Sequence, residues 1–137
     1  MRVGTDVQAV DEVRESLAQF GVRYAERVYT SAEIAAAGGL GGGDPAPGLA
    51  ARFAAKEATI KVLRPTTSRP DWRSIEVVRQ DGGWCALALS GAAARLACEQ
   101  GIVELELSMS HGAGVGMASV IARIDPPRLE PPEGRGR

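Results

Sequence analysis

Aromatic residues are scarce in this sequence, with two each of Phe, Trp and Tyr among 137 residues. A core so poor in rings must be assembled from Val, Leu, Ile and Ala, and such a core leaves little room for a large internal ligand. A ligand site is therefore expected in a surface cleft or at a subunit interface. Neither sign of charge is in excess: 16 Lys and Arg against 17 Asp and Glu give a formal net charge of −1. That balance argues against nucleic-acid binding by overall electrostatics. No apolar run approaches the roughly 20 residues that a membrane-spanning helix needs. Cysteine is limited to Cys85 and Cys98, without metal-type spacing, and both read as reduced thiols. The opening segment Met1-Arg2-Val3-Gly4-Thr5-Asp6 lacks the layout of a signal peptide. The expectation is a cytoplasmic protein with no membrane or nucleic-acid partner.

What is present fits a single small domain. A chain of this size buries roughly two-thirds of its unfolded surface, enough for a core without staples. Val3 to Val7 reads as a short strand. Val10, Val13, Leu17 and Phe20 recur at helical spacing, and Gly21 closes that helix. Thr30-Ser31-Ala32-Glu33 is a capping box opening a second helix that runs to Gly38. Gly38 to Gly48 is dense in Gly and Pro and reads as a loop; it lacks the Gly-Lys-Ser/Thr ending of a phosphate loop. Leu49 to Leu63 is the strongest helix, with Leu49, Phe53, Ile60 and Leu63 as its apolar stripe and Arg64-Pro65 as its stop.

Ile75, Val77 and Arg79 alternate with their neighbours, Asp81-Gly82-Gly83 turns, and Cys85, Leu87 and Leu89 alternate again, which predicts a hairpin. Gly91 to Gln100 reads as a helix ended by Gly101. Val103 to Leu107 is a strand, and Val115 to Ile124 holds a last one. This order indicates an α+β fold, an antiparallel sheet packed with helices, over residues 1–125. Residues 126–137, rich in Pro, Glu, Gly and Arg, read as a disordered tail.

Several side chains suggest chemistry. Asp6 lies at the end of the first strand, where an Asp serves as a helix N-cap, a solvated strand end or a ligand. Glu57 and Lys61 lie one turn apart on the long helix, the spacing of a surface ion pair. With Phe53 at zero, steps of about 100° per residue put Glu57 near 40° and Lys61 near 80°. Glu57 thus borders the apolar stripe, a better place for a metal ligand than open water. Arg52, Lys56 and Lys61 lie on the same helix and could neutralise a polyanion. His111, the sole histidine, follows the strand Val103 to Leu107; it is either structural or a donor to phosphate. Two carboxylates ringed by cations suit phosphoryl chemistry, where magnesium takes one or two carboxylates plus phosphate oxygens.

Four segments carry a resemblance. Arg52-Phe53-Ala54-Ala55-Lys56-Glu57-Ala58 followed by Lys61, Gly4-Thr5-Asp6-Val7, Tyr24 to Thr30 with Glu33, and Ser108-Met109-Ser110-His111 occur in the order and near the spacing of the holo-acyl-carrier-protein synthases. The sequence resembles this family of 4'-phosphopantetheinyl transferases over roughly residues 2 to 124. The resemblance implies a small α+β domain of the phosphopantetheinyl transferase fold that forms a homotrimer, with active sites between subunits. It implies coenzyme A as donor, an apo acyl carrier protein or a synthase carrier domain as acceptor, and magnesium, with manganese as a substitute. It places Asp6 and Glu57 on the metal, with Lys61 beside them in the catalytic set and facing the pyrophosphate. Arg52, Lys56, Lys61, Ser110 and His111 become the coenzyme A-binding set. It also implies carrier docking through basic residues on the first helix.

The match departs from the family pattern at Ala9, where an acid is usual; at Gly83-Trp84-Cys85, where Pro is usual at the third position; and at Gly112 after His111. The first helix is also poorer in Arg than is typical. The departures bear on carrier choice and coenzyme A affinity and leave the metal pair intact. A non-catalytic coenzyme A- or carrier-binding scaffold of the same fold is the alternative. An unrelated α+β interaction domain, with Glu57 and Lys61 a surface pair, is a third reading.

Overall fold

The computed structural model describes residues 1–125, so the tail expected over 126–137 lies outside the described residues. The element order is β1 (Arg2–Ala9), α1 (Val10–Phe20), α2 (Val22–Val28), α3 (Ser31–Ala36), α4 (Ala46–Leu63), β2 (Ile75–Arg79), β3 (Cys85–Leu89), α5 (Gly91–Glu99), β4 (Ile102–Gly112) and β5 (Val115–Ile124). A single 3-10 turn, Trp72–Ser74, leads into β2. Strands β1, β5 and β4 form one antiparallel sheet with β5 in the middle, and β2 with β3 forms a separate two-stranded hairpin. The α+β architecture is the one expected.

Helix α4 is the axis of the molecule. It begins three residues earlier than the sequence predicts, because Pro45 and Pro47 favour a first helical turn, where a missing N–H costs nothing. Its alanines at 51, 54, 55 and 58 are buried against the sheet. Ala54, Ala55 and Ala58 form a core with Val62, Val77, Ala118, Val120 and Ala122. Two glycines permit this close approach. A Cβ on Gly4 would lie 2.2 Å from Ala58 O, and one on Gly116 would lie 2.3 Å from Ala51 N. Small residues on both surfaces let backbone lie directly on backbone.

The predicted apolar stripe is only half of the buried face. Leu49, Ile60 and Leu63 are buried, whereas Phe53 is half-buried against Trp72, with ring centroids 5.2 Å apart. Beyond the first turn of α4, Phe53, Glu57 and Lys61, four residues apart, form the edge that reaches solvent. Helix α2 has no signal of its own in the periodicity, since its seven residues are too few for a clear period; only the resemblance pointed to a helix over Tyr24 to Thr30, and Ala25 and Val28 form it by packing inward. Strand β4 extends past Leu107 to Gly112, so His111 lies in the strand and not after it. Among the described residues, no helix is long and apolar enough to cross a membrane.

Candidate active site

The functional side chains fall into two groups on opposite sides of α4. The first borders a cleft of about 670 Å³, walled by the ends of α3 and α4, the β2–β3 hairpin and β4. Its polar lining includes Arg52, Arg79, Ser110, His111 and Asp44. Arg52 is only 6% exposed. Its Nη1 donates to Gly48 O at 3.1 Å, and its Nε is the one buried side-chain donor among the described residues without a hydrogen-bond partner. A buried guanidinium left partly unsatisfied is costly, and an anionic oxygen in the cleft would relieve it. His111 shares a strand face with Leu107 and Met109 and is exposed at the cleft. Ser110 alternates to the other face, where it borders a small hollow with Ser108, Met117 and Ser119.

The second group forms where β1 crosses the exposed edge of α4. Lys61 Nζ donates to Thr5 O at 2.6 Å and to Asp6 Oδ1 at 3.2 Å. The spacing-based pair of Glu57 with Lys61 is thus replaced by a tertiary pair of Lys61 with Asp6. Glu57 faces Arg69 at 3.9 Å, beyond hydrogen-bond reach. Both carboxylates are largely shielded, with side-chain exposures of 20% for Asp6 and 23% for Glu57, while Lys61 is about half exposed. No cluster of three or more metal-ligating side chains occurs among the described residues. Two hard oxygen donors suit a magnesium ion that completes its shell with substrate and water oxygens.

Lys56 is a correction. The sequence reading placed it on coenzyme A, but its side chain is fully buried and paired with Glu33 at 2.8 Å. Position 56 falls about 100° round the helix from Glu57, toward the interior. Burial pushes the Lys56 ammonium below its usual pKa, and the facing Glu33 carboxylate opposes that shift. Glu33 also completes the expected capping box with Thr30. Sequence reasoning saw the capping box but missed its buried partner, because a Glu at the third helical position is explained by local capping alone. Arg79 was missed as a cleft residue, and Trp84 was noted only for the Pro absent after it. The two flank the hairpin turn and become neighbours of Arg52 only when the hairpin docks.

Comparison with known proteins agrees with this fold. Residues 2–113 match the model of the 4'-phosphopantetheinyl transferase superfamily. A holo-[acyl-carrier-protein] synthase of Chloroflexus aurantiacus is 38% identical over 133 residues, spanning 87% of this chain and 95% of that protein. One from Maridesulfovibrio salexigens is 33% identical over 120 residues, spanning 87% and 94%. Among solved structures, a Chronobacterium ammoniagenes ACPS–CoA complex superposes with a TM-score of 0.76 at 32% identity, covering 90% of this chain and 96% of that one. The holo-[acyl-carrier-protein] synthase of Neisseria meningitidis gives 0.75 at 31% identity, covering 88% and 96%. With its sequence motifs, its fold and its relatives in agreement, this chain belongs to the 4'-phosphopantetheinyl transferase superfamily and, within it, to the holo-acyl-carrier-protein synthases.

Proposed function

We propose that the chain transfers 4'-phosphopantetheine from coenzyme A to a serine of an apo carrier protein, leaving a holo carrier and adenosine 3',5'-bisphosphate. The carrying observation is the partly unsatisfied guanidinium of Arg52, buried in the wall of a cleft that also presents Arg79 and His111. These groups suit the phosphates of coenzyme A, the ligand of the solved Chronobacterium relative. The serine oxygen attacks the phosphorus that bears pantetheine. The bond from that phosphorus to the bridging oxygen breaks, and the nucleotide leaves with the electron pair.

Asp6 and Glu57 would hold magnesium, whose chemistry is to neutralise charge on the pyrophosphate. Glu57, directly or through a water, accepts the serine proton. Lys61, tethered among the described residues to Thr5 O and Asp6, lies at the exposed edge where it can meet the departing phosphate. His111 completes the coenzyme A contacts on the cleft side, and Ser110, turned to the other face of β4, borders the cleft at its rim.

The two groups belong to different copies of the chain. Arg52 and Lys61 are nine residues apart, which is about 180° round a helix, and none of Asp6, Glu57 or Lys61 borders the cleft. A neighbour's cleft facing this chain's carboxylates makes a complete site, in keeping with a cytoplasmic homotrimer. The outer sheet face supports assembly. Val3, Val7, Met117 and Ile121 are exposed there, with Val3 opposite Ile121 and Val7 opposite Met117. The direct test incubates several apo carriers with coenzyme A and magnesium and measures their intact mass. A gain of one phosphopantetheine on any carrier is expected; no gain on any of them, with coenzyme A still bound, would favour the scaffold reading.

A further inference from the structure

The hairpin β2–β3 is a two-stranded sheet with a free edge. Its register pairs Ile75 with Leu89 and Val77 with Leu87, and Ser90 N bonds Ser74 O while Gln80 N bonds Trp84 O. Hydrogen-bonded pairs therefore fall at even positions of β2, and Ile75 and Val77 turn their backbone groups away from β3. The C=O of Ile75 and the N–H of Val77 end on one buried ion pair. Lys56 Nζ donates to Ile75 O at 2.5 Å, and Val77 N donates to Glu33 Oε2 at 3.0 Å. Lys56 Nζ also donates to Trp72 O at 2.9 Å and to Glu33 Oε1 at 2.8 Å, so three N–H donors meet three acceptors. Glu33 Oε1 further accepts from Thr30 N at 2.8 Å. Among the described residues, the strands of the hairpin make no other hydrogen bond to α3 or α4.

We propose that the Glu33–Lys56 pair stands in for a third strand, docking the free edge of β2 onto α3 and α4 and thereby setting the width of the coenzyme A cleft. The elements it joins are three of the four cleft walls: Ala36 and Ala37 follow Glu33, Arg52 precedes Lys56 by one turn, and Arg79, Trp84 and Cys85 lie on the hairpin. A fully buried ion pair is a poor source of net stability compared with apolar packing. What it supplies here is direction, because only one placement of β2 satisfies both an outward C=O and an outward N–H. Glu33 and Lys56 are thus positioning residues, acting through the hairpin without touching the ligand. This rests on reading the cleft as the coenzyme A site.

The test compares the full chain with Glu33→Gln, Lys56→Met and the double variant, by steady-state kinetics and amide hydrogen exchange. Each single variant is expected to raise KM for coenzyme A about tenfold with kcat changed less than about threefold. The double variant should be no worse than either single, since both act through one joint. Exchange at Val77 and across the hairpin should quicken while β1 and β5 stay protected. Glu33→Gln, nearly isosteric, is the variant best placed to fold. Should every variant unfold, the unaltered chain decides: Val77 N–H must exchange as slowly as the β5 amides, and fast exchange there sinks the proposal. A KM effect of Lys56→Met unaccompanied by one of Glu33→Gln would make Lys56 a direct ligand and overturn it. Failure of the unaltered chain to bind coenzyme A would overturn the reading of the cleft, while the exchange results would still stand for the joint.

Discussion

Asp6, Glu57 and Lys61 gather because β1 lies flush on α4, which brings residues more than fifty positions apart onto one edge. Asp6 is offered to that edge by strand alternation, on the same face as Gly4, which packs on Ala58. If the two carboxylates share one ion, their losses cannot be independent. Asp6→Ala and Glu57→Ala should each lower kcat/KM by roughly a hundredfold or more, and the double variant should be little worse than either. Measurement at saturating magnesium, with all three variants shown to be folded, checks this; multiplicative losses would argue against a shared ion. The pairing of Lys61 with Asp6 is partly exposed and contributes little to stability. Its value is in placing the amine beside the carboxylates.

The element that decides the architecture is α4. Its burial depends on alanines meeting glycines, so volume added at the contact must push backbone apart. Gly116→Ala is expected to destabilise the chain by about 1–3 kcal/mol, the usual cost of overpacking, and Gly4→Ala by a similar amount. Gly116→Ala presses on Ala51, beside Arg52, and should weaken coenzyme A binding. Gly4→Ala presses on Ala58 and Lys61 and should act on the carboxylate group. Chemical denaturation and coenzyme A titration of the two variants separate these effects. Equal stability to the unaltered chain in both would show that the helix–sheet contact is looser than described.

For the whole molecule, two predictions follow from surfaces. Light scattering should give three chains per particle. Placing a charge on the sheet face, as in Val7→Glu or Ile121→Lys, should dissociate the particle and abolish turnover together. A monomer that still transfers phosphopantetheine would contradict the shared site. The second concerns the carrier. On α1, Asp11, Glu12 and Glu15 are exposed, and Arg14, its only base, is engaged by Asp11 at 2.5 Å and Asp44 at 2.7 Å. A docking helix with no spare cation repels an acidic partner. A near-neutral synthase carrier is therefore expected to outcompete an acidic fatty-acid carrier, and salt should help the acidic one or leave it unchanged. Turnover efficiency on both carriers across a salt series checks this. Preference for the acidic carrier that collapses with salt would place docking elsewhere, such as on the exposed Arg23 and Arg27.

The sequence by itself determined the elements whose signals are local: the 3.6-residue period of α1, the alanine-rich run of α4 with its Arg64-Pro65 stop, the Thr30–Glu33 capping box, the turn at Asp81-Gly82-Gly83, and the four ordered motifs that mark the family. It could not determine where a charged side chain on α4 would point, because the period of a helix buried nearly all round is blurred when one face is alanine. Lys56, adjacent to Glu57 in sequence, is buried, and Glu57 is at the edge; only the docking of the sheet on one side and of β2 on the other separates them. Nor could spacing choose between Glu57 and Asp6 as the partner of Lys61. An i,i+4 pair is favoured by a few tenths of a kcal/mol at most, a preference that the close seating of β1 readily overrides. The cleft is likewise tertiary. Arg52, Arg79 and His111 lie on three elements, α4, β2 and β4, and border one cleft only when those elements pack together.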